Sequence, residues 1–202
     1  MRWGLLGGSF DPIHTGHIHA AEAALRIRGL ARVLLIPAAS PPHKRQGCRA
    51  SFEQRVEMAR LAVAGHPGLE VTALEGKRRG PSYTVDTVEA IRKRFPAVEL
   101  DLLVGADMLA DLPNWHRAAD LVELVTVVAF ERPGEELEDA VERFAASFGR
   151  ERLVLVALDP VDTSATELRR SLAEGGEIGP ELSPDVHRYI RVKRLYESSF
   201  GG

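Results

Sequence analysis

Six short runs rich in Val, Leu and Ile alternate along this chain with longer segments whose apolar residues recur at helical spacing, and that alternation restricts the fold more than any other feature. The runs are Trp3 to Leu6, Val33 to Ile36, Leu69 to Ala73, Glu99 to Val104, Leu124 to Phe130 and Arg152 to Ala157. Several are apolar at consecutive positions, as strands covered on both faces should be. Between them, Gly16 to Ile27 carries Ile18, Ala21 and Leu25 on one helical face. Ser51-Phe52-Glu53-Gln54 reads as a capping box opening a helix with Phe52, Val56, Ala59 and Val63 buried. Thr84 is placed to cap a third helix with Val85, Val88 and Phe95 on one face. The pattern predicts βαβ units and therefore an α/β fold, a Rossmann-like open and mostly parallel sheet with helices on both faces.

The later segments continue the pattern. A short helix after Gly105-Ala106-Asp107 should be interrupted by Pro113, which removes a donor and clashes with the preceding turn. Helices are expected over His116 to Leu121, over Glu135 to Phe148, and over Thr166 to Ala173 with Thr163 or Ser164 as cap. Ser183-Pro184 should start a last helix with proline at its first position. At 202 residues one domain is expected, 1–202, with 160–202 as a small C-terminal helical part.

Composition bounds the partners. Hydrophobic residues make up 45% and charged residues 27%, neither suggesting disorder. No apolar run approaches the roughly 20 residues of a spanning helix, and the N-terminus carries no secretory signal pattern, so a cytoplasmic location away from membranes is expected. Cys48 is the only cysteine, which excludes an intrachain disulfide and a multi-cysteine zinc site. A net charge of -3 gives no general case for nucleic acid, while short basic clusters such as Lys44-Arg45 and Arg169-Arg170 suit a small phosphate-bearing ligand.

In an open parallel sheet, ligands bind beyond the carboxyl ends of the strands. Five polar loops should meet there: Gly7 to His17, Pro37 to Arg45, Arg79 to Thr84, Gly105 to Asp107, and Asp159 to Thr166. The first is the densest in chemistry. Gly7 and Gly8 let the backbone approach a ligand closely, and a helix starting near Thr15 offers free N–H groups to an anion. It is neither a Walker loop nor a Gly-x-Gly-x-x-Gly turn. His14 and His17, three apart at the mouth of that helix, admit three readings. They form a plausible metal pair, although no third ligand follows at a recognisable spacing; one of them caps the turn; or both stabilise charge on a phosphoryl group, the reading favoured here.

Gly7 to His17 resembles the (H/T)xGH signature of the nucleotidyltransferase superfamily. The remainder is similar to the bacterial nicotinate mononucleotide adenylyltransferases over nearly its whole length. The residues that carry this are Pro41-Pro42-His43-Lys44, Gly80 to Thr87, Gly105-Ala106-Asp107, Asn114-Trp115-His116, Arg132-Pro133-Gly134, Ser164 to Arg169, and Val186-x-x-Tyr189-Ile190 with Leu195-Tyr196. Two departures stand out: Ala165 replaces a serine and Leu168 an isoleucine in the pattern Ser-Ser-Thr-x-Ile-Arg.

The resemblance implies a nucleotidyltransferase fold and the transfer of AMP from ATP to nicotinate mononucleotide, giving deamido-NAD and pyrophosphate. It implies that His14 and His17 stabilise the reacting phosphates, that Gly8, Ser9, Phe10 and Asp107 hold the nucleotide, and that Ser164, Thr166 and Arg169 take the outer phosphates. His43, Lys44, Ser82, Tyr83, Thr84 and Trp115 would hold the mononucleotide, with Trp115 stacked on the nicotinate ring and backbone amides near Ser82 to Thr84 facing its carboxylate. Mg²⁺ would arrive bound to ATP, held by phosphates and water rather than by a protein metal site. The partners would be these two small substrates, with no nucleic acid or membrane. The rival readings are an adenylyltransferase of the same fold acting on phosphopantetheine or nicotinamide mononucleotide, and a non-catalytic nucleotide sensor.

Overall fold

The computed structural model describes residues 1–41, 47–78, 80–131, 137–159, 161, 163–176 and 179–197. Among them, six strands form one sheet: β1 (Arg2–Gly8), β2 (Arg32–Pro37), β3 (Leu69–Val71), β4 (Glu99–Val104), β5 (Thr126–Glu131) and β6 (Leu153–Ala157). Their order is β3-β2-β1-β4-β5-β6, and every pair is parallel. The chain winds outward from β1 to β3, then returns to the other side of β1 with β4. The winding direction therefore reverses between β1 and β4, which opens a crevice at their carboxyl ends.

The consecutive apolar runs are explained by register. Leu5 lies beside Leu34 and Leu102, and Leu102 beside Val127; the next residues, Leu6, Leu35, Leu103 and Val128, form a second row. Successive side chains leave opposite faces of a strand, so the two rows feed two separate cores. One core packs the second row under α1 (Thr15–Ile27), α2 (Phe52–Val63), α7 (Ala165–Ala173) and α8 (Pro184–Lys193), through residues such as Ala21, Met58, Leu168 and Ile190. The other packs the first row under α3 (Thr84–Arg94), α4 (Ala106–Asp111), α5 (Ala118–Leu124) and α6 (Glu138–Phe148), through Val88, Leu109, Leu121 and Phe144.

Helix boundaries follow local chemistry. The Ser51 hydroxyl accepts from the Gln54 amide and the Gln54 side chain accepts from the Ser51 amide, the reciprocal box expected for α2. Ser183 accepts from the Val186 amide with Pro184 at the first helical position. Pro113 falls in a tight turn, Leu112–Asn114, directly after α4.

Several expectations are corrected. Tyr83 rather than Thr84 is the N-cap of α3, and Phe95 lies just beyond that helix, 36% exposed, with its ring 4.8 Å from that of Trp3. Ser164 occupies the N-cap position of α7, but its side chain makes no capping bond. α5 begins at Ala118 rather than His116, because Arg117 is left-handed (φ 53°) with its guanidinium bonded to Asp120 and Glu89. Leu124 closes α5, which delays β5 to Thr126, and β3 is shorter than its apolar run. In α2 the expected stripe omits Arg55, which is 2% exposed, and Met58, while Phe52 and Val63 are only partly buried. Residues 132–136, which include the start of the expected sixth helix, lie outside the described residues.

Candidate active site

Because the sheet is wholly parallel, the turns leaving each strand's carboxyl end share one edge. β1 delivers the 9–14 turn into the crevice between β1 and β4, and β4 delivers Gly105 and the first turn of α4 beside it. Phe10 takes a left-handed conformation (φ 48°), and its ring fills the space that a side chain at Gly8 would need, 3.0 Å from the position of a Cβ there. Gly16 clears the His14 ring in the same way: an added Cβ would sit 3.1 Å from His14 Nδ1.

The two histidines meet. Their ring centroids lie 3.7 Å apart at 37°, with the Phe10 ring edge-on to His17 at 5.0 Å. The His14 backbone N–H donates to His17 Nδ1 at 3.2 Å. An Nδ1 that accepts carries no proton, so the neutral His17 ring is held in the tautomer with its proton on Nε2. That nitrogen is then a donor, the form suited to a phosphate oxygen.

The turn is gripped from distant parts of the chain. Arg55 donates from Nη1 to the Ser9 carbonyl at 2.7 Å, and from Nε to the Ala50 carbonyl at 3.3 Å. Asp11, 2% exposed, accepts from the amides of Arg49 (2.9 Å) and Ala50 (3.1 Å) and from the Tyr196 hydroxyl (2.8 Å). Arg169 donates from Nη1 to the Asp11 carbonyl at 2.7 Å and from Nη2 to Thr166 Oγ1 at 3.1 Å. The α7 start, with Ser164 half-buried and Thr166 exposed, is thereby bound to the histidine turn. Thr15 donates its amide to the Glu181 carbonyl at 2.9 Å.

The loops after β2 and before α3 are also tied together. Ser82 Oγ accepts from the amides of Ala39 and Ser40, both at 3.0 Å, and the Ser82 amide donates to the Ser40 carbonyl at 3.0 Å. The Tyr83 amide meets the Pro81 carbonyl at 3.2 Å. Each of these two amides thus meets a protein carbonyl. Behind them, buried Glu75 accepts from the Thr87 hydroxyl at 2.9 Å and from the Ala39 amide at 3.4 Å, and Arg78 also contacts that hydroxyl. Trp115 is half-buried, its indole N–H donating to Asp111 Oδ2 at 3.2 Å, while Asn114 donates to the other Asp111 oxygen at 3.1 Å. Tyr83 stacks on His116 at 4.1 Å. Asp107 is exposed in the first turn of α4. His43 and Lys44 lie outside the described residues.

A cavity of about 260 Å³ opens next to this edge, lined in part by Ala39, Ser40, Cys48, Phe52 and Arg55. Among the described residues, no three of His, Cys, Asp and Glu are grouped to hold a metal, and no helix is long and apolar enough to cross a membrane. Sequence reasoning missed Asp11, Arg55, Glu75 and Tyr196. The only signal for the first was its position inside the Gly7 to His17 turn; for Tyr196 it was the terminal Leu195-Tyr196 pair.

The family model described as cytidylyltransferase-like matches residues 5–171. Along 97% of its length the chain is 36% identical to the "Probable nicotinate-nucleotide adenylyltransferase" of Pelobacter propionicus, covering 98% of that protein. It is 39% identical to the protein of the same name from Gloeobacter violaceus, with 99% and 98% covered. Its fold is similar to that of the Plasmodium falciparum nicotinic acid mononucleotide adenylyltransferase complexed with NaAD, with a TM-score of 0.80 over 96% of this chain and 97% of that one, at 18% identity.

Proposed function

The chain belongs to the cytidylyltransferase-like family, and from that premise we propose that it transfers the adenylyl group of ATP to nicotinate mononucleotide, releasing pyrophosphate and forming deamido-NAD. The observation that carries the chemistry is the His14–His17 pair, its rings 3.7 Å apart in the crevice where the sheet reverses its winding. The end-to-end likeness to proteins named for this activity supports the choice of substrate.

In this reading an oxygen of the mononucleotide phosphate attacks the α-phosphorus of ATP, a new O–P bond forms, and the bond to the bridging oxygen of pyrophosphate breaks in line. No covalent enzyme intermediate is needed, so the protein contributes position and charge. His17, protonated at Nε2, donates to the oxygens on which charge builds, and His14 stands beside it. Gly8, Ser9 and Phe10 bring backbone close to the nucleotide. Ser164 and Thr166 offer hydroxyls, and Arg169 the free edge of its guanidinium, to the outer phosphates. Asp107 meets the adenosine ribose. Mg²⁺ would come bound to ATP, held by its phosphates and by water, and would neutralise part of their charge.

Trp115, its ring plane fixed by Asp111, stacks on the nicotinate ring. The first-turn amides of α3, that of Thr84 among them, face the nicotinate carboxylate. His43 and Lys44 act on the phosphates of the joined substrates. The test supplies purified protein with ATP and Mg²⁺ and measures pyrophosphate. Release is expected with nicotinate mononucleotide and much less with the amide or phosphopantetheine; preference for another acceptor replaces the substrate, and silence with all three replaces the enzyme by a sensor.

A further inference from the structure

We propose that Tyr196 is a positioning residue for the transfer, setting through Asp11 the conformation of the 9–14 turn that carries the histidines. The proposal rests on the adenylyl-transfer reading above. Tyr196 is 6% exposed, and its hydroxyl reaches Asp11 Oδ1 at 2.8 Å across 185 residues of sequence. It adopts a left-handed backbone (φ 67°), an uncommon conformation for a bulky side chain. Burial first, and the neighbouring Asp11 carboxylate second, hold the phenol protonated well above the ordinary tyrosine range, so it remains a donor.

The contact matters because of what Asp11 joins. One of its carboxylate oxygens takes the Arg49 amide and the other takes both the Ala50 amide and Tyr196, so Asp11 fastens the histidine turn to the segment leading into α2. The same turn is held at Ser9 by Arg55, and at the Asp11 carbonyl by Arg169. Three side chains from α2, α7 and the segment after α8 thus hold the two residues, Ser9 and Asp11, that flank the left-handed Phe10. Tyr196 bonds the carboxylate from within the protein, its ring being part of the core packed under α1, α2, α7 and α8. Loss of its hydroxyl leaves the substrate contacts in place and loosens the histidines, which must be correctly aimed as charge develops. Turnover should suffer more than ground-state binding.

Tyr196→Phe removes the hydroxyl and keeps the ring. At a temperature well below the melt, kcat should fall about tenfold, the loss expected of a hydrogen bond to a charged acceptor, with both KM values within about twofold. Asp11→Asn should also lower kcat, and the double variant should be no slower than Asp11→Asn alone, because the two groups act through one bond. A Tyr196→Phe variant with wild-type kcat overturns the proposal, whatever its melting temperature, and so do losses that multiply in the double variant. Should Tyr196→Phe fail to fold, the kcat of Asp11→Asn decides: a fall supports the proposal and an unchanged value overturns it. Wild-type protein that forms no pyrophosphate would instead remove the adenylyl-transfer reading.

Discussion

At His17 the backbone fixes the chemistry of a side chain. With Nδ1 accepting from the His14 amide, the ring presents Nε2–H as its donor. His17→Ala should lower kcat by about 10²- to 10³-fold, the usual cost of losing one donor to developing charge, with ATP affinity little changed. Steady-state kinetics beside equilibrium titration of ATP check this; equal losses in both would make the residue a binder only. On the proposed reading Trp115 acts in ground-state binding. Trp115→Ala should raise the KM for nicotinate mononucleotide and spare that for ATP. Asp111→Ala, which frees the indole N–H, should do the same more weakly. An unchanged acceptor KM in Trp115→Ala removes the ring from the acceptor site.

Between elements, several ties are polar side chains bonded to backbone across loops. Ser82→Ala removes the hydroxyl that accepts from two amides of the loop after β2, leaving that of Ala39 only its longer bond to Glu75, so this edge should loosen and the mononucleotide KM rise severalfold, read by initial rates. Ser51→Ala breaks the capping box of α2 at a cost of about 1 kcal/mol. For a chain of this size that lowers the melting temperature by roughly 2–4 °C, measurable by calorimetry. The contrast between these serines shows what a sequence discloses. Ser51 acts on a residue three positions away, so its role was legible as a local pattern. Ser82 acts on residues 42 and 43 positions away, and nothing in its neighbourhood announces the bond. Arg55 is similar: an arginine reads as a surface residue in sequence, yet this one is buried because its partners are the carbonyls of Ser9 and Ala50. The two histidines were legible for the opposite reason, standing three apart at a helix mouth.

Across the whole molecule, the alternating pattern disclosed the parallel sheet and its five polar loops, because period and apolarity are local quantities. The strand order, and with it the reversal between β1 and β4, depends on which strands pair, and no short window of sequence carries that. Tyr196 brings the distant parts under one titration. Its pKa is raised in the fold, so the unfolded chain loses this proton first. The associated stability is therefore whole below about pH 10 and declines as the pH climbs further, at up to about 1.4 kcal/mol per unit. Urea midpoints measured from about pH 8 to about pH 11 should fall more steeply for the wild type than for Tyr196→Phe, and matching slopes would remove the phenol from the ledger. The bonds from Glu181 and Tyr196 to residues 15 and 11 carry one more consequence. During synthesis the histidine turn is made 185 residues before the tyrosine that fastens it. A nascent chain that has passed β6 holds all six strands while the turn still lacks its Tyr196 hydrogen bond, so pairing of the sheet can precede completion of the site.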